Sequence, residues 1–189
     1  MVLYSGSRSI QRDGFTSAYS TITFILYLLI NRLPDNLSLS QGALLEPLSV
    51  VMHGISRTRI SLGRGVVVCG AGPIGLISLA AARASGAHPI VITDLESSRL
   101  TFAKDFVPSC QTYQVDRNLD AKGNAQAIRK IFGATEYDAP STILDCTGVE
   151  SSVITAAYTV QRGGDLMVIG VGKDIMNNLP FMHISLAEV

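Results

Sequence analysis

Short runs of apolar, often β-branched residues alternate with longer amphipathic stretches over most of the chain, and this alternation predicts the fold before any motif is considered. Residues 65–69 read as a continuous apolar strand, 73–85 as an Ala-rich helix closed by Gly86, and 89–93 as a second strand ending at Asp94. A helix follows from Ser97 to Asp105, an extended piece over 112–115, a helix over 121–132, a strand over 142–146, a helix over 151–160 and a strand over 165–171. Strands without polar alternation, separated by helices, are the pattern of βαβ units in a parallel sheet covered on both faces. The expected fold class is therefore α/β, a Rossmann-like doubly wound parallel sheet.

Upstream of Gly65 the pattern changes. Residues 1–33 combine a Ser- and Arg-containing start of no clear period with the apolar run 24–30, and Leu33-Pro34-Asp35-Asn36 separates that run from the rest of the chain. Pro34 marks the boundary. Ser38 or Ser40 can cap the next helix, and Leu48, Val51, Met52 and Ile55 recur at helical spacing, which predicts an amphipathic helix facing a core. Glu46 directly precedes Pro47, so it is expected at a helix start or kink, with its carboxylate projecting. The organisation is thus a divergent N-terminal segment (1–33), a connecting helix region (34–64) and the α/β domain (65–189). The chain stops at Glu188-Val189 with no turn or cap in the pattern, so its last segment is expected to be interrupted.

The uncharged stretch 15–31 raises the question of a membrane segment. A spanning helix needs about 20 predominantly apolar residues, and Thr16, Ser17, Ser20, Thr21 and Thr23 dilute this one. Asn31-Arg32-Leu33-Pro34 replaces the small-residue site that would end a signal peptide. Neither a membrane nor a secretory role is expected. A hydrophobic fraction of 47% and mean hydropathy of +0.32 exclude a disordered chain. Basic and acidic residues balance at 15 each, which leaves no electrostatic footprint for nucleic acid. Cys69, Cys110 and Cys146 are odd in number, form no C-x-x-C pair and do not cluster with His53, His88 or His183. That usage fits a reducing, cytoplasmic setting, with Cys69 and Cys146 as small apolar residues at strand ends.

Candidate chemistry begins at Gly70-Ala71-Gly72-Pro73-Ile74-Gly75, a G-x-G-x-x-G run that follows a strand and opens a helix. In that setting Gly70 permits the tight turn, Gly72 lets backbone approach a pyrophosphate, and Gly75 allows close helix–strand packing. The helix N-terminus then faces the anion, so a chain of zero net charge can hold a diphosphate without lysine. Pro73 at the first turn sacrifices no hydrogen bond. Asp94 ends the next strand, where a carboxylate accepts a ribose diol; this favours NAD over NADP. Arg99 has two readings, contact with the adenosine ribose or a surface ion pair with Asp94 or Glu96. Two further strand ends, Asp145-Cys146-Thr147-Gly148 and Ile169-Gly170-Val171-Gly172, place glycines where a ribose or nicotinamide needs close backbone approach, or where ordinary βα turns need them. A non-catalytic dinucleotide-binding module and an S-adenosylmethionine-dependent methyltransferase share parts of this pattern.

Taken together with Gly42-Ala43-Leu44-Leu45-Glu46-Pro47-Leu48-Ser49-Val50, Thr93-Asp94-Leu95 and Gly163-Gly164, these segments resemble the sorbitol, xylitol and L-arabinitol dehydrogenase branch of the zinc-containing medium-chain dehydrogenases. The resemblance runs from about Leu37 to Val189. It implies a cofactor contact from Ile74, adenosine ribose recognition by Asp94 with Arg99, and nicotinamide-side contacts at Ile169, Gly170 and Val171. It further implies that Glu46 approaches a catalytic zinc and a sugar alcohol, and that His183 is structural. Family members carry a Cys and a His-Glu pair as zinc ligands in a preceding barrel-like domain, and no such residues occur before Glu46. Catalytic zinc needs about three protein ligands, so no metal residues are assigned. The departure implies an NAD-binding domain incomplete at its C-terminus, with an unrelated N-terminal segment and no complete catalytic barrel domain. Such a chain would bind NAD, act on a sugar alcohol only if a catalytic domain were supplied, and present an open strand edge that invites a homo-oligomer.

Overall fold

The computed structural model describes residues 32–189. Its centre is β1 (Val66–Cys69), whose four residues are all buried. β-branched valines suit a strand covered on both faces. β2 (Ile90–Asp94) and β4 (Thr142–Asp145) pair with β1 on either side, and β3 (Gln111–Gln114) and β5 (Asp165–Val168) complete a sheet of order β3-β2-β1-β4-β5. All four pairings are parallel, with Val66 opposite both Ile90 and Thr142. The doubly wound α/β architecture expected from the residue pattern is what the chain adopts.

Side chains alternate across a strand, so β1 feeds two cores. Val66 and Val68 pack with Ile92 and Leu144 against Leu79 of α3 (Pro73–Ala84) and Leu100 of α4 (Ser97–Phe106). Val67 and Cys69 pack on the other face with Ile143, Ile128 of α5 (Ala121–Phe132) and Ala156 of α6 (Glu150–Thr159). Asp120 caps α5 by accepting the Gly123 amide at 2.7 Å.

Contacts divide the chain into two units, residues 1–46 and 47–189. In the first, Ser38 caps the short helix α1 (Leu39–Gly42) through a capping box with Gln41. Glu46 sits in the first turn of α2 (Leu45–Ser56), at the helix start that Pro47 foretold. The apolar run 24–30 lies outside the described residues. Among those described, no helix is long and apolar enough to cross a membrane.

Four expectations need correction. Within α2, Leu48 and Met52 are 40% and 52% exposed, while Val51 and Gly54 are buried. The buried face is centred on a glycine because Ile169 presses there: a Cβ on Gly54 would stand 2.8 Å from Ile169 Cδ1. β3 begins at Gln111, one residue before the expected start. β5 ends at Val168 instead of 171, because the backbone beyond it turns to pack on another loop. Finally, the last residues form a helix with a cap, which the pattern does not signal. α7 (Phe181–Ala187) ends at Glu188, whose left-handed backbone (φ 57°, ψ 40°) directs its amide toward the Ile184 and Ser185 carbonyls.

Candidate functional site

The parallel strands all present their C-terminal ends to one edge of the sheet, where β2 and β4 diverge on either side of β1. A cavity of about 510 Å³ opens there, with Gly70, Asp94, Leu95, Arg99, Asp116 and Thr147 around it and Ile128 and Ile143 at its apolar base. Its size and composition suit a small organic ligand.

The turn from β1 into α3 owes its shape to glycines that serve different ends. Gly70 has φ +94°, a left-handed conformation, and donates its amide to Thr93 O at 2.8 Å. A Cβ on Gly75 would lie 1.7 Å from Gly70 O, so any side chain there would drive α3 off the strand. Gly72, the N-cap of α3, is unlike both: its backbone is ordinary (φ −79°), and, its chain neighbours aside, no atom of the described residues lies within 4 Å of where its Cβ would be. No contact among the described residues requires glycine there; a ligand approaching the backbone would. Pro73 occupies the first helical position, Ile74 is half-buried behind it, and the amides of a helix's first turn lack intrahelical partners.

Asp94 is held beside this turn. Its Oδ2 accepts the Ala71 amide at 2.8 Å and its Oδ1 accepts the Glu96 amide at 2.9 Å. A carboxylate offers about four acceptor sites, so room remains for hydroxyls on the cavity side. Arg99 Nη1 stands 3.8 Å from Asp94 Oδ2 and is 60% exposed, a loose pair that leaves the guanidinium at the cavity mouth. Glu96 is paired instead with Arg117, also at 3.8 Å.

On the other side of β1 the glycines meet chain rather than space. Gly148 has φ +65°; a Cβ on Gly170 would lie 2.3 Å from Gly148 N, and one on Gly172 would lie 1.7 Å from Gly148 O. The turn after β4 and the segment after β5 are therefore stacked backbone on backbone. Ile169 turns its side chain toward Gly54, and Val171 is 96% exposed. Of the site residues expected from sequence, Gly70, Asp94 and Arg99 line the cavity. Gly72, Pro73, Ile74 and Gly75 form the turn beside it, and Ile169, Gly170 and Val171 follow β5. Glu46 belongs to the other unit.

The cysteines are not reactive groups. Burial pushes the Cys69 thiol up to about 12, helped by the Asp145 carboxylate, and pushes Cys146 up to about 11. A neutral thiol is neither nucleophile nor zinc ligand. Among the described residues no group of three or more His, Cys, Asp or Glu is placed to hold a metal. The described residues therefore do not fit a catalytic zinc. His183 packs its ring 4.6 Å from Tyr158 and bonds Ala157 O at 3.1 Å through Nε2, a structural placement.

Residue patterns alone pass over Leu95 and Asp116 at the cavity, while Thr147 lies in the strand-end segment they single out. Leu95 carries a usable signal: an apolar residue just after a strand-ending acid, 44% exposed, has no core to join.

A profile of the zinc-binding dehydrogenase family matches residues 73–189. L-arabinitol 4-dehydrogenase of Aspergillus oryzae is 50% identical over 159 residues, covering 82% of this chain and 41% of that protein. Sorbitol dehydrogenase of Mus musculus is 41% identical over 158 residues, covering 84% and 42%. The crystal structure of 2R,3R-butanediol dehydrogenase from Bacillus subtilis shares the fold, with a TM-score of 0.67 at 24% identity over 82% of this chain and 42% of that one. The chain spans about two fifths of the length of the curated relatives it matches.

Proposed function

Because the chain belongs to the zinc-binding dehydrogenase family, we propose that it is the NAD-binding part of a polyol dehydrogenase, which oxidises a secondary alcohol of a sugar alcohol. The observation that carries the cofactor assignment is Gly72: an unstrained glycine with empty space before it, at the head of a helix and beside a carboxylate. The α3 N-terminus holds the pyrophosphate. Asp94 takes the adenosine ribose diol, with Arg99 along its edge, and the carboxylate disfavours a 2′-phosphate there. Gly70, Pro73, Ile74 and Gly75 shape the turn, and the backbone of Ile169, Gly170 and Val171 borders the nicotinamide. Bound NAD supplies the hydride acceptor; the chain's own residues bind and orient it.

The polyol assignment rests on the relatives. In this reading residues 65–189 form the NAD domain, 34–64 a connecting helix region and 1–33 a divergent segment, within a cytoplasmic protein. Glu46 stands toward the substrate hydroxyl in the complete site. The chain alone holds NAD without turning over polyol, since its described residues assemble no zinc site. That same fact favours a second reading, a dinucleotide-binding module with no catalysis. Two measurements separate the possibilities. Calorimetry with the purified chain is expected to show NAD binding well ahead of S-adenosylmethionine, and the reverse order would overturn the cofactor assignment. Oxidation of L-arabinitol, xylitol or sorbitol with NAD and added zinc is expected to be negligible; turnover at an ordinary enzymatic rate would overturn the inactive reading.

A further inference from the structure

Asp145 ends β4 as Asp94 ends β2, but its side chain is fully buried behind the crevice. Its Oδ1 accepts the Thr147 hydroxyl at 2.8 Å and the Ser152 hydroxyl at 2.7 Å, and its Oδ2 accepts the Gly148 amide at 2.8 Å. Its main-chain carbonyl accepts the amides of Ile169 at 2.7 Å and Gly170 at 2.9 Å. One residue thus ties the turn after β4 to the segment after β5. A buried carboxylate is costly to desolvate even when hydrogen-bonded, and a strand can end in an apolar or amide residue at lower cost. The first turn of α6 offsets part of this by supplying Ser152 and the positive end of its dipole.

The adenosine side of the crevice has anchors of its own on β2, although Gly70 also packs on Thr147, whose Cγ2 would lie 2.8 Å from a Cβ there. Gly70 is fixed by Thr93 O and Ala71 by the Asp94 carboxylate, both from β2. The segment after β5 has Asp145 and the Thr147-Gly148 turn, against which Gly170 and Gly172 are pressed. We infer that Asp145 is a positioning residue for the nicotinamide end of the cofactor: its carboxylate fixes the Thr147-Gly148 turn, and that turn sets where the backbone of Ile169, Gly170 and Val171 faces the crevice. The inference rests on the NAD reading above.

The test compares binding of NADH and ADP-ribose to the whole chain, following nicotinamide emission as well as affinity. D145N keeps the size of the side chain but places an amide donor among donors, and T147V removes one bond to the carboxylate while keeping its shape. D145N is expected to bind NADH about tenfold more weakly, with loss of the emission shift that bound wild-type chain gives and with a smaller loss of ADP-ribose affinity. T147V is expected to weaken NADH about threefold and ADP-ribose by less, since Thr147 itself lines the cavity, and it decides the matter if D145N does not fold. NADH binding at wild-type strength in both variants, or equal loss of both ligands, would overturn the role of Asp145. A wild-type chain that binds neither ligand would bring down the cofactor reading itself, and this inference with it.

Discussion

The two flanks of β1 look alike as sequence and differ as structure. On each, a strand ends in aspartate and glycines gather at the crevice. On the β2 side the aspartate reaches the cavity and Gly72 faces open space. On the β4 side the aspartate is buried and Gly148, Gly170 and Gly172 are consumed by the contact of one loop with another. A glycine after a strand therefore signals close approach without saying what approaches. Ligand and chain leave the same mark on the sequence.

Substitutions can break or sharpen that contrast. The largest effect is expected from G172A, whose new methyl would lie 1.7 Å from Gly148 O. Overpacking against backbone should lower unfolding stability by about 3 kcal/mol, read as a fall in the urea midpoint; an unchanged midpoint would mean that the β4 side is looser than its glycines imply. D94A should cost NAD binding about 2 kcal/mol, roughly thirtyfold, because a charged acceptor is lost, with a smaller drop in stability. Titration calorimetry checks it, and unaltered affinity would remove the ribose contact from the β2 side. For G72A the two readouts should part company. Its backbone suits alanine but an N-cap disfavours it, so stability should fall by no more than about 0.5 kcal/mol, while NAD affinity falls about tenfold as the methyl meets the pyrophosphate. A stability loss as large as the affinity loss would mean that Gly72 serves the chain after all.

The smallest effect lies at the outer strand. Arg59 pairs with Asp165 on β5 at 2.8 Å, its main-chain amide bonding the same carboxylate. Burial alone would raise the Asp165 carboxyl, but the hydrogen bonds and charge of Arg59 together outweigh it and hold the group below its ordinary value. A folded value below the unfolded one stabilises the fold fully above the usual carboxylate value of about 3.9, and this is lost as pH falls through the folded value. D165N should thus be slightly less stable than wild type at neutral pH, with the gap closing in acid. Urea midpoints across pH 7 to about 2.5 would show it; a gap that stays constant would mean the pair does not contribute.

Strands and helices of the α/β unit were legible because each buried strand is a short apolar block and two of the helices carry a start signal, Asp120 before α5 and Pro73 within α3. Failures came where burial is decided by distant partners. Leu48 and Met52 look like core residues until Ile169 selects Gly54 as the contact point. α7 escapes periodicity because only Ala187 of its seven residues is buried, while Phe181, Met182 and Leu186 are exposed. At the site, Gly70, Gly75 and Asp94 are readable from spacing. The buried hydrogen bonds of Asp145 are not, since no local pattern distinguishes an aspartate facing a ligand from one facing its own loop.

The strand order also sets a timetable. Val66 meets Ile90 through one βα unit but meets Thr142 only after two further helices have been made. Closing the longer loop carries the greater entropy cost and is the slower event. The β1–β2 pair, with the glycine turn and Asp94, can be in place while the far half of the crevice is still unformed. Capture of a whole dinucleotide would then report that the last non-local pairing is complete, and a refolding experiment that follows NADH emission should lag one that follows burial of the β1–β2 pair.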